Sequence, residues 1–237
     1  MAHRAGGHDT LQDNSFKSAV NALSMVDGIE TDVQISKDET IWMSHSSSIE
    51  NCEKTLNCFS ETNDAEIETI RTCSGKDFKY TRLERVMQYM QQNQIHKYIS
   101  IDMKGWIPCG IGSIGIEGIM RLEVEKIIEM GNKYGLANYL FFENSFPSVL
   151  KWAKKKNGAV GVYINSYGDL EQGMLQALKY ELDGITFKSN FKDTPTLEDM
   201  NLLHRKGLRL MAWNIPDSSA AETLRKAQVD ILQIDLK

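Results

Sequence analysis

Short stretches of period-two alternation recur along this chain, and longer stretches of helical period separate them about eight times. The strand-like stretches fall at 28–33, 97–103, 139–142, 159–164, 183–187, 208–213 and 229–234, with a further short one at 40–44. Helical patterns fill the gaps, at 117–134, 147–156, 170–180, 196–206 and 219–227 among others. Strands that alternate with helices bury both faces and pair in parallel, so the pattern predicts βα units. Eight of them suit a (β/α)8 barrel of the TIM type. Only Met1 and Ala2 precede His3, so the first strand is expected to be truncated. A doubly wound open sheet would want Gly-x-Gly-x-x-Gly after the first strand, and Arg4-Ala5-Gly6-Gly7 does not supply it. The 237 residues are read as a single α/β domain spanning 1–237.

The balance of residues excludes several classes. Hydrophobic residues at 41% and charged residues at 25% fit a soluble globular protein. No apolar run reaches the roughly 18–20 residues that span a bilayer. The formal charge of −5, with no basic stripe, argues against nucleic acid as a partner. The chain begins almost at its first motif, so no signal segment is expected within it. A cytoplasmic location is expected, or a secreted or membrane-associated one if a further segment precedes.

Three short motifs near the start draw the eye: His3-Arg4, then Glu30-Thr31-Asp32, then His45. On a strand, Glu30 and Asp32 share one face. Two neighbouring carboxylates repel unless a cation lies between them, and a hard divalent cation prefers such oxygen ligands. A solvated strand face is the alternative. In a barrel, sites gather at the carboxyl ends of strands. His3, Glu30, Asp32, His45, Asp102, Lys104 and Trp213 all fall at or near predicted strand ends, so all are expected on one face.

The order His-Arg, Glu-x-Asp, His resembles the signature of the glycerophosphodiester phosphodiesterases. Further matches run in the same order: Asp13-Asn14-Ser15, Asp102-Met103-Lys104, Ser145-Phe146, Trp213-Asn214 and the closing 229–235 segment. The resemblance implies metal-dependent hydrolysis of glycerophosphodiesters to an alcohol and glycerol 3-phosphate. It implies His3 and His45 as the acid–base pair, and Glu30, Asp32 and Asp102 as ligands of a divalent metal ion, Mg²⁺ or Ca²⁺ with Mn²⁺ a third option. Arg4 and Lys104 are implied as phosphate contacts and Trp213 as a floor for the glycerol or alcohol pocket. Two departures stand out: Asp102 replaces the more usual Glu, and Ser46 follows His45 where Asp is common.

Some readings stay open. Asp102 could simply pair with Lys104, Arg4 could hold a carboxylate, and His8 could contact substrate or lie on the surface. The four cysteines contain no Cys-x-x-Cys. They are either reduced thiols, or Cys52 and Cys58 form a disulfide similar to the short loop of spider-venom phospholipases D, relatives of the family by fold. That second likeness, with the apolar 105–118 stretch, keeps open a phospholipase D acting on lysophospholipids or sphingomyelin through transient membrane-surface contact. A catalytically inactive barrel used as a binding module is a third reading. Asp13 is expected to cap a first helix. Thr81 and Glu84 have capping-box spacing, and 46–79 is expected to be an active-site loop with a short helix near 65–72.

Overall fold

The computed structural model describes residues 1–7, 11–50, 55–70, 79–104, 114–189 and 194–236. Its strands are β1 (Gly28–Ile35), β2 (Ile41–Met43), β3 (Ser48–Glu50), β4 (Thr55–Cys58), β5 (Thr81–Arg82), β6 (Tyr98–Met103), β7 (Leu140–Asn144), β8 (Gly161–Asn165), β9 (Gly184–Lys188), β10 (Arg209–Ile215) and β11 (Ile231–Ile234). Its helices are α1 (Phe16–Met25), α2 (Asp64–Ile67), α3 (Leu83–Gln92), α4 (Gly115–Lys133), α5 (Pro147–Lys156), α6 (Leu170–Tyr180), α7 (Leu197–Arg205) and α8 (Ser218–Lys226).

Seven strands, β1 and β6 to β11, lie side by side in chain order, each parallel to the next. The eighth position belongs to Met1 and Ala2. Ala2 forms parallel bridges to Ile29 and to Ile234. The Ala2 amide donates to Gly28 O at 2.9 Å, and Ile234 N donates to Met1 O at 3.0 Å. The amino terminus itself donates to Leu232 O at 2.7 Å. The ring of strands therefore closes through a first strand as short as the sequence implies.

Strand alternation explains what fills each side. Outward-facing Ile29, Val33, Ile99, Ile101, Phe142, Val162, Ile185, Phe187 and Leu210 are buried against the helices. Inward-facing Phe141, Tyr163 and Met211 plug the amino-terminal end of the barrel with help from Met1 and Ile231. Above that plug the interior turns polar, with Glu30, Ser100, Glu143 and Gln233 all buried. A barrel whose lower half is apolar and upper half charged has one place for chemistry, the carboxyl ends of its strands.

Outside the ring, β2 pairs antiparallel with β1 and β5 with β2. In the long stretch after His45, β3 and β4 form a hairpin, and the helix expected at 65–72 is the shorter α2. The Asp64 carboxylate anchors it by accepting from Ser36 Oγ, Thr40 Oγ1 and Trp42 Nε1. Cys58 is disulfide-bonded, which corrects the reading of four reduced thiols. Cys52, Cys73 and Cys109 lie outside the described residues, as do His8 and most of the apolar 105–118 stretch.

Two capping expectations fail for long-range reasons. Ser15, not Asp13, caps α1, accepting from Ser18 N at 3.1 Å; the Asp13 carboxylate turns instead to Arg4. Thr81 sits in β5 and accepts from Phe16 N at 3.0 Å, leaving Arg82 at the cap of α3 without a side-chain cap bond. Glu84, the other half of that spacing, binds Lys133 and Tyr134. In both cases a tertiary partner outcompeted the local one.

Candidate active site

The site begins with a tight turn. Arg4 (φ 48°), Ala5 (φ 57°) and Gly6 (φ 77°) are successive left-handed residues directly after the first strand. Each non-glycine residue in that region costs roughly 1–2 kcal/mol. A Cβ on Gly6 would meet Ala22 Cβ at 2.8 Å, so that position needs glycine on steric as well as torsional grounds. The turn aims the Arg4 amide at the barrel interior, where it donates to Glu30 Oε2 at 2.6 Å. The turn also brings His3 over the mouth, with Nε2 4.0 Å from Glu30 Oε2 and Nδ1 2.8 Å from Asp235 Oδ1.

β1 and β6 carry the acids. Their register sets Asp32 opposite Asp102, with Glu30 one step deeper on the same face. β2 folds back on β1, with Ser44 N donating to Asp32 O at 3.0 Å, which carries His45 to the same mouth. Asn14, itself left-handed at φ 56°, buttresses the group. Its Nδ2 donates to Asp32 Oδ2 at 2.8 Å, while its Oδ1 accepts from Thr31 Oγ1 at 2.8 Å and Asp32 N at 3.2 Å.

Lys104 lies between two of the acids. It pairs with Asp32 at 2.5 Å and more closely with Asp102. The Asp102–Lys104 salt bridge that the sequence left open is therefore present, and it includes Asp32. Arg4 holds carboxylates too: its side chain donates to Asp13 at 3.2 Å, and Nε lies 3.8 Å from Asp32.

The electrostatics follow from burial and crowding. Burial and the charges of Asp32, Glu143 and Asp102 push the Glu30 carboxyl well above the usual range. Burial also lifts Asp102, only partly offset by Lys104. Burial works against ionised Asp32 as well, but Lys104, His45 and the Asn14 hydrogen bond outweigh it and hold that carboxyl low. Burial depresses His45 below the ordinary imidazole value despite Asp32 nearby. Glu143, one strand over, is pushed up to about 7 by burial and Asp102, though Ser100 and Gln233 both donate to it.

Among the described residues, oxygens of Glu30, Asp32 and Asp102 lie within 4.8 Å of one another. Glu30 Oε1 is buried and has no hydrogen-bond partner among the described residues. An unsatisfied buried carboxylate oxygen beside two further acids suits a hard divalent cation, which would lower the repulsion that now raises Glu30. This buried acidic cluster is compatible with a divalent metal.

One cavity of about 390 Å³ gathers nearly everything. Its walls include His3, Arg4, Glu30, His45, Asp102, Lys104 and Trp213. Asp32 is buried and pairs with Lys104. Asn14 and Asp235 have no role assigned from the sequence, although both stand in its motifs. The same holds for Glu143, Gln233, Asn144 and Lys188, all of which line this cavity. A charged residue inside the apolar Leu140–Asn144 strand was the available signal for Glu143.

Residues 3–235 match the model of the glycerophosphoryl diester phosphodiesterase family. The chain belongs to the glycerophosphoryl diester phosphodiesterase family. Membership places it among phosphoric diester hydrolases. A phosphodiesterase from Oleispira antarctica, solved in complex with the product sn-glycerol-3-phosphate, has a similar fold, with a TM-score of 0.80 at 18% identity over 99% of this chain and 92% of that one. Glycerophosphodiester phosphodiesterases of Thermotoga maritima (TM-score 0.74, 18% identity, 100% and 93% covered) and Agrobacterium tumefaciens (0.74, 17%, 99% and 94%) are similar too. A search of curated protein sequences gave no match. Among the described residues of this phosphodiesterase-family chain, no helix is long and apolar enough to cross a membrane.

Proposed function

We propose that this protein hydrolyses glycerophosphodiesters to an alcohol and glycerol 3-phosphate with a divalent metal ion and a pair of histidines. The observation that carries the reading is the shared cavity: His3, His45, Arg4, Lys104, Glu30 and Asp102 line one space, and Asp32 completes the acidic group within 4.8 Å. Glu30, Asp32 and Asp102 would hold the ion, which would supply a Lewis acid for the phosphoryl oxygens. Mg²⁺ and Ca²⁺ both suit all-oxygen ligands; Mn²⁺ is the third candidate.

The chain's own residues divide the remaining work. A general base must be neutral to take a proton, and burial favours neutral His45. His45 therefore deprotonates the attacking group, which is water or a substrate hydroxyl that gives a cyclic phosphate first. His3, fixed through Nδ1 by Asp235, protonates the departing alcohol. Arg4 and Lys104 offset charge on the phosphate, and Trp213 floors the glycerol or alcohol pocket. The test is release of glycerol 3-phosphate from glycerophosphodiesters after chelation and metal add-back. Activity should vanish with chelator, return with the ion, and fall by about 10²–10⁴ in His45→Ala. Full activity in the chelated protein would refute the metal; full activity in His45→Ala would refute the base.

The disulfide at Cys58, in the hairpin that follows His45, favours one second reading: a phospholipase D acting on lysophospholipids. Preference for lysophosphatidylcholine over glycerophosphocholine would establish it in place of the first.

A further inference from the structure

A fourth acid stands beside the three that lie together. Glu143 is on the inward face of β7, the face that also carries Phe141, and the sheet register sets it next to Asp102 on β6. It is 4% exposed and lines the cavity. Its Oε1 is fixed, accepting from Ser100 Oγ at 2.6 Å and from Gln233 Nε2 at 2.7 Å. Its Oε2 has no hydrogen bond among the described residues. Glu30 Oε1, in the same polar layer, is likewise buried without a partner among them. Nor does Glu143 form an ion pair with any described basic side chain: Lys104 pairs with Asp32 and Asp102, and Arg4 with Asp13 and Asp32. A buried acid without a cation lowers stability, so the barrel alone gives no reason for a carboxylate here. Two donors that hold one oxygen and leave the other to the cavity instead aim the group at something that enters.

We infer that Glu143 is a positioning residue for the divalent ion, standing outside the three ligating acids and accepting through Oε2 from water in the ion's shell. This rests on the proposed metal reading and deepens it. Oxygens of Glu30, Asp32 and Asp102 lie within 4.8 Å of one another, and Glu143 is not part of that group, so it acts at one remove. Mg²⁺ bound by carboxylates keeps several of its waters, and those waters donate hydrogen bonds. A fixed carboxylate outside the ligand set orients them and adds its charge to the attraction.

The experiment titrates Mg²⁺ into the metal-stripped full chain by calorimetry at pH 8 and takes melting temperatures with and without the ion. Glu143→Gln keeps an oxygen for Ser100 and Gln233 and removes the charge. It should weaken Mg²⁺ binding by about 10–100-fold. Its metal-free melting temperature should stay at or above wild type, because a crowded acidic group loses one acid. Glu143→Asp, which keeps the charge, should bind Mg²⁺ more tightly than Glu143→Gln does. A residue that only braced Ser100 and Gln233 would give the reverse: a lower metal-free melting temperature and an unchanged Kd. If Glu143→Gln does not fold, Ser100→Ala removes one of the two donors that aim the carboxylate and should itself weaken binding by about threefold or more. An unchanged Kd in Glu143→Gln, or in Ser100→Ala where that is the variant that folds, overturns the proposal and leaves the metal reading intact. An unchanged Kd with a raised KM assigns Glu143 to the substrate and overturns it too. No binding of Mg²⁺, Ca²⁺ or Mn²⁺ to the wild type overturns the metal reading and the proposal with it.

Discussion

Asn14→Asp probes the support beneath the acidic cluster with a change of one functional group. The wild-type Nδ2 donates to Asp32 Oδ2 at 2.8 Å, a bond to an ionised acceptor. Such bonds contribute about 1.5–3 kcal/mol. The Oδ1 atom, which accepts from Thr31 Oγ1 and Asp32 N, survives the substitution. What changes is that a second carboxylate oxygen now sits at hydrogen-bond distance from the first. Asp32 is 1% exposed and Asn14 6%, so solvent screens little. The pair can stay only by sharing a proton, which raises its pKa above the unfolded value near 3.9. A raised native pKa gives stability that is present below the unfolded pKa and is lost as pH rises through the native one. Near pH 4 the shared proton rebuilds the bond, and the variant should lie within about 1 kcal/mol of wild type. At pH 8 the deficit should reach about 3–5 kcal/mol, from the lost bond and about 1.4 kcal/mol for each tenfold rise in the pair's proton affinity on folding. Urea unfolding of metal-free protein at both pH values measures the difference. The same deficit at pH 4 and pH 8 would refute the reasoning, because only an ionising partner can make it pH-dependent.

Two further changes test neighbouring contacts. Lys104→Met removes the cation that Asp32 and Asp102 share, leaving buried carboxylates uncompensated, so metal-free stability should fall by about 3–5 kcal/mol. Added Ca²⁺ or Mg²⁺ should then raise the melting temperature more in the variant than in wild type; no metal-dependent gain would count against a cation site at Glu30, Asp32 and Asp102. Asp235→Asn keeps an acceptor for His3 Nδ1 and removes the charge: kcat should fall about tenfold with KM and melting temperature unchanged, and an unaltered kcat would remove Asp235 from the positioning of His3.

The limits of the sequence reading have physical causes that differ from residue to residue. The alternation of periods exposed the barrel because strand and helix patterning is local, and each βα unit repeats it. Ring closure is not local. It depends on whether the backbone of Met1 and Ala2 reaches both Gly28 and Leu232, and no side-chain pattern records that. The capping expectations failed at Asp13 and Thr81 because each side chain found a partner far along the chain, Arg4 in one case by way of a left-handed turn and Phe16 in the other.

The acidic pair and the histidines were legible because their spacing is short and their types are unusual at strand ends. Glu143, Gln233 and Lys188 were not, and the reason lies in the barrel itself. Period-two alternation tells which residues share a strand face, but a polar residue on that face reads the same whether the face meets water or the barrel interior. Only closure decides. Once Ala2 bridges Ile29 and Ile234, the face bearing Glu30, Ser100, Glu143 and Gln233 becomes an enclosed polar layer. Burial then turns ordinary side chains into groups that need partners, as the raised Glu143 carboxyl shows. The two residues that make the first strand so short are thus what convert seven half-polar strands into a site.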